Sequence, residues 1–75
     1  MDIKKFQELN YKITKGNASN RDKLEYMEML YQNASITKQQ YEDYKFGIKR
    51  DELIKLGLII GAALLLGWLV SKLSE

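Results

Sequence analysis

One run of side chains limits what this chain can become: from Leu56 to Val70 the sequence LGLIIGAALLLGWLV carries no polar side chain. Leu53, Ile54 and Leu73 extend it past Lys55 and Lys72. At ~1.5 Å rise per helical residue, the stretch 53–73 reaches ~30 Å, about the thickness of a bilayer's hydrocarbon core. Lys55 and Lys72 stand where snorkelling cations sit, with their alkyl stems in the apolar layer and their ammonium groups bent outward. Trp68, close to the C-terminal edge, suits an interfacial aromatic. The run is apolar on every side rather than along one stripe, and residues 1–52 offer too little apolar surface to bury such a helix. A transmembrane helix over 53–73 is therefore expected, with 74–75 as a short tail.

With 75 residues there is room for one small module beside this segment. Twelve basic and ten acidic residues are interspersed, for a net charge of +2, so no concentrated basic face points to nucleic acid. There is no cysteine and no histidine. That removes disulfides, thiolate metal sites, thiol chemistry, the usual general base and the commonest metal ligand. The adjacent carboxylates Glu42-Asp43 and Asp51-Glu52 would point ~100° apart on a helix and do not converge as an acid/base pair. No nucleophile elbow, phosphate loop or metal spacing is present, and the expectation is a protein that is not an enzyme, with no cofactor, metal or small-molecule substrate.

The N-terminal residues MDIKKFQELN are charged and lack the apolar core of a signal peptide. Lys45, Lys49, Arg50 and Lys55 flank the apolar run on its N-terminal side and Lys72 alone on the other. The positive-inside rule then keeps residues 1–52 in the cytoplasm, the layout of a single-pass, tail-anchored protein.

Residues 1–52 read as three helices. Ile3, Phe6, Leu9 and Ile13 recur at helical spacing over about 2–15, and Gly16-Asn17 can end that helix. Ser19 or Asn20 can cap a second helix bearing Leu24, Met27, Leu30 and Tyr31 on one side and stopping near Asn33. Thr37 with Gln40 makes a capping box, and Ile36 with Tyr41 a hydrophobic staple, so a third helix starts at Lys38 and turns Tyr41, Tyr44 and Ile48 toward the second. Gly47 weakens it, leaving a kink or an unbroken run into the apolar segment. The fold class is all-α, with Leu24, Met27, Leu30, Tyr31, Ile36, Tyr41 and Tyr44 as an interaction or packing face. The seven Phe and Tyr side chains of the module can be thin-core residues or interface anchors.

The segment MLYQNASITKQQYEDYK resembles the SHOCT-type short helical hairpin. Leu30-Tyr31 fall on its paired apolar positions, Ile36-Thr37 on its Ile-Thr, Tyr41-Glu42 on its aromatic-acid pair and Lys45 on its basic position. Ala34 stands where that pattern prefers glycine and Ser35 where it prefers an aliphatic. The resemblance covers about residues 24–48 and implies an oligomerisation or interaction element.

Inside the apolar run, Gly57 and Gly61 form GxxxG, and Gly57, Gly61, Leu64, Trp68 and Ser71 share a face. Small residues let two helix backbones approach closely in lipid, which makes this face a self-association seam, although glycine is common in membrane spans without one. Asn17-Ala18-Ser19 and Asn33-Ala34-Ser35 match the glycosylation acceptor, but Asn and Ser suit turns for local reasons and a cytoplasmic module would stay unmodified.

The expected function is that of a membrane protein whose cytoplasmic module self-associates or docks a partner at the bilayer, as a homo-oligomer or within a larger complex. Two alternatives stay open: a holin-like membrane-permeabilising protein, and a structural subunit of a phage, viral or other large assembly that buries the apolar helix among neighbouring chains. Against the first, the run has no polar stripe to line water. A bacterial, phage or viral origin suits the size.

Overall fold

The computed structural model describes residues 1–73, which form four helices and no strand: α1 (Ile3–Thr14), α2 (Asn20–Gln32), α3 (Lys38–Lys45) and α4 (Arg50–Leu73). The first three starts each carry a local signal. The Asp2 carboxylate accepts from the Lys5 amide at 3.1 Å. Ser19 caps α2 and Thr37 caps α3, each in a reciprocal capping box, with Asp22 and Gln40 reaching back to the cap amides. The Ser19 amide donating to Asp22 is the main cause that holds its carboxyl below the usual range.

The first three helices also end alike. Past α1 the Asn17 amide bonds Lys12 O and that of Gly16 bonds Ile13 O; past α2, Ser35 bonds Leu30 O and Ala34 bonds Tyr31 O; past α3, Ile48 bonds Asp43 O and Gly47 bonds Tyr44 O. This is the Schellman closure, which requires a left-handed residue just past the helix. Gly16 (φ 75°) and Gly47 (φ 82°) supply it freely, whereas Ala34 (φ 58°) does so against the clash of its Cβ. Asn33 and Ser35, of the second Asn-Ala-Ser, bond each other across this turn at 2.9 Å.

The closure at Gly47 resolves how α3 meets α4. The helix stops, residues 46–49 turn, and Lys49 is also left-handed (φ 53°). Ile48 therefore lies in the turn, half exposed, rather than on a helix face turned toward α2. Arg50 ties the new helix back: its guanidinium donates from Nε to Tyr44 O at 2.8 Å and from Nη2 to Lys45 O at 3.1 Å, and lies over the Tyr44 ring.

The core consists of Phe6, Leu9, Tyr26, Met27, Leu30, Ile36, Tyr44 and Leu53. Its last member belongs to α4, and α4 packs on all three preceding helices. Packing thus continues across the 52/53 boundary up to Leu64 and Leu65, which lie half-buried against the core. Residues 66–73 continue the helix as exposed surface. That end accounts for the elongated shape, 41 Å against 25 Å and 18 Å in the other directions.

Candidate functional site

The chemistry-bearing feature of this fold is the contact between α4 and the pair α1–α2. Gly57 and Gly61, one turn apart, are buried on the inner face of α4. A Cβ on Gly57 would lie 2.8 Å from Met27 Sδ and 3.2 Å from Leu30 Cδ1. One on Gly61 would lie 2.9 Å from Tyr26 Cζ and 3.0 Å from Phe6 Cζ, with the Tyr26 hydroxyl closer still. The glycines are the slot into which Tyr26 fits, and only residues without a side chain make it deep enough.

Tyr26 is completely buried and stacks on Phe6, their rings 4.6 Å apart and 11° from parallel. Its hydroxyl donates to Gly57 O at 3.2 Å and accepts from Asn10 Nδ2 at 2.8 Å, so one atom links α1, α2 and α4. Among the described residues no buried side-chain polar atom lacks a partner. Burial raises the Tyr26 pKa, Asn10 pulling weakly the other way; burial likewise raises that of Tyr44 despite the nearby Arg50.

The residues expected on the self-association seam separate along α4. Gly57 and Gly61 are occupied by the chain's own Tyr26, Met27 and Phe6, and Leu64 is half-buried against the core. Trp68 and Ser71 continue the face as exposed positions, Trp68 lining a groove with Gln7 and Asn10 of α1 and with Lys72 Nζ 5.9 Å from its ring centroid. A second helix can reach the two glycines only where α1 and α2 are displaced. Of the expected interaction or packing face, Met27, Leu30, Ile36 and Tyr44 are core, and Leu24 is half-buried against it. Tyr31 and Tyr41, also half-buried, stack on each other at 5.0 Å and 4° with Lys45 over Tyr41. Sequence reasoning missed Tyr26 as the partner of the glycines and Asn10 as the partner of the Tyr26 hydroxyl. The missed signal is the i, i+4 pair Tyr26 and Leu30: the buried stripe of α2 is Tyr26, Met27 and Leu30, with Leu24 and Tyr31 at its edges.

The outer face of α4 is the reverse. Ile59, Leu66, Leu69 and Leu73 are exposed by 70%, 63%, 48% and 80%, an apolar surface that runs along the helix from beside the module to its far end. Among the described residues α4 alone is long and apolar enough to cross a membrane. No group of three His, Cys, Asp or Glu residues that could hold a metal occurs there. No protein-family model, curated protein or solved structure matches the chain.

Proposed function

We propose that this is a non-enzymatic, single-span membrane protein whose helical module faces the cytoplasm and self-associates or docks a partner at the bilayer. The observation that carries this reading is the outer face of α4. It is an exposed apolar strip from Ile59 to Leu73 on a helix of 24 residues. Apolar patches of that extent mark a surface meant for lipid or another protein. The helix length favours lipid, since 24 residues reach ~36 Å. Lys45, Lys49, Arg50 and Lys55 on one side against Lys72 on the other support a cytoplasmic module. Confinement to the bilayer raises effective concentration, so weak contacts through partly exposed groups such as the Tyr31–Tyr41 stack suffice to assemble a complex.

The test is Leu66→Asp with Leu69→Asp, both on exposed positions where the fold loses little. Near the middle of a span each aspartate costs ~3 kcal/mol, so the double variant should leave the carbonate-washed membrane fraction while keeping its helical spectrum. Retention in the membrane at the parent level would refute the span.

A second reading has an observation of its own. The first half of α4 is packed against Phe6, Tyr26 and Met27 as a core helix would be, which suits a structural subunit whose remaining apolar strip is covered by neighbouring chains. In that case the protein stays monodisperse without detergent as a defined oligomer.

A further inference from the structure

The part of α4 that a span must place in lipid is in large measure the part packed on the module. We infer that α4 exchanges between two mutually exclusive placements, one docked on Tyr26 and one spanning the bilayer, and that docking holds the chain out of the fully inserted state. This rests on the membrane reading above and adds how the membrane is engaged.

Three observations carry it. First, the contact at Gly57 and Gly61 is backbone-close, and its blocking atoms belong to the buried Phe6, Tyr26 and Met27. No lipid chain fits between. Second, α1 lies along the middle of the prospective span: Phe6 touches Gly61, while Gln7 and Asn10 share a groove with Ala62, Leu65 and Leu66. The centre of 53–73 is residue 63, so inserting α4 with α1 attached would carry Lys5, Glu8 and Lys12 toward the bilayer centre, where charge is least tolerated. Third, the groove with α1 runs on to Leu69, so only residues 70–73 stand clear of the module, ~6 Å of helix against the ~30 Å that a crossing requires. Docked, the chain dips into one leaflet at most.

The joint for the exchange is the turn 46–49, exposed throughout. Rotation there can carry α4 away while Arg50 remains close to the end of α3. Release separates the Tyr26 hydroxyl from Gly57 O and frees the glycine slot.

The test uses the absence of cysteine and the single tryptophan. Ile59→Trp in a Trp68→Phe background puts the sole indole on the exposed outer face. Docked, position 59 lies ~16 Å before the clear end of the helix and outside the hydrocarbon; spanning, it lies ~6 Å from the midplane. Gln7→Cys and Leu66→Cys, which line one groove and are exposed, are joined by a short cleavable bis-maleimide to hold α4 docked. Both forms are reconstituted into phosphatidylcholine–phosphatidylglycerol vesicles containing lipids brominated deep in the acyl chain. The unlinked protein should be quenched strongly and the linked protein several-fold less, and cleavage of the linker should restore quenching. Equal deep quenching of both forms would overturn the exclusivity. A surface tryptophan in both, with the chain floating with vesicles, would also overturn it but leave membrane binding standing. Failure to float would overturn the membrane reading as well.

Discussion

Two glycines in one helix should respond with opposite sign to the same substitution. Gly61→Ala places a methyl carbon 2.9 Å from Tyr26 Cζ and 3.0 Å from Phe6 Cζ. Neither ring can retreat, because both are fully buried and stacked on each other at 4.6 Å. Overpacking of this kind costs ~1–3 kcal/mol. Shifting Tyr26 also strains its bonds to Gly57 O and Asn10, worth about 1 kcal/mol each. Against this, alanine gains ~1 kcal/mol over glycine in a helix interior. The net expectation is destabilisation by about 1–3 kcal/mol. At Gly67 a Cβ meets nothing within 4 Å, so Gly67→Ala keeps only the propensity gain of ~1 kcal/mol. In a domain this small, 1 kcal/mol moves Tm by ~4–8 °C, enough to read on both sides of the parent. The assay is reversible thermal unfolding of the full chain in the least non-ionic detergent that keeps it monodisperse, followed by far-UV and tyrosine near-UV circular dichroism. Shifts of the same sign for the two variants would mean that α4 does not dock through Gly61.

The remaining predictions concern single residues. Thr37→Ala should cost ~1 kcal/mol, the usual loss for an N-cap hydroxyl, read as a lower denaturation midpoint with unchanged m-value. Ala34→Gly should stabilise by ~1 kcal/mol, because the left-handed φ of 58° that strains alanine is open to glycine; a lower midpoint would contradict the turn geometry. Burial raises the pKa of Tyr26, so above the ordinary tyrosine value of 10.0 the unfolded chain releases its proton first. The stability that the neutral phenol contributes is complete below that value and is lost as pH rises through the raised folded pKa. Tyr26→Phe should be less stable at neutral pH by ~1 kcal/mol, yet decline less steeply in alkali than the parent; parallel declines would show that Tyr26 does not govern the alkaline transition.

Features that depend on a few consecutive residues could be read without coordinates. Thr37 and Gln40 lie three apart, and the reciprocal bonds between them need nothing from the rest of the chain. Ser19 as a cap and the stop at Asn33 follow from the same local chemistry, as does the all-α class. Gly47 left two options open because a glycine weakens a helix without saying whether the chain will turn there; the left-handed closure decided for a turn. Ile48 was drawn onto a helix that had already ended. The packing of α4 was hidden for a different reason. A helix that is apolar on every side has no stripe to indicate which face meets the module, and GxxxG spacing reports only that something comes close. In lipid that neighbour is a second helix; in this fold it is Tyr26, thirty-one residues earlier in the chain. Whether a close neighbour is intramolecular is set by topology, which short-range patterns do not encode.

The residues that pack against the slot at Gly57 and Gly61 all precede α4 in the chain. During synthesis Phe6, Tyr26, Met27 and Leu30 are therefore in place before either glycine has been added. For that interval the nascent chain carries an uncovered greasy face. If α4 spans the bilayer as proposed, the emerging helix meets two competing apolar surfaces, its own module and the membrane, and the outcome depends on the nearness of a bilayer as well as on equilibrium stability.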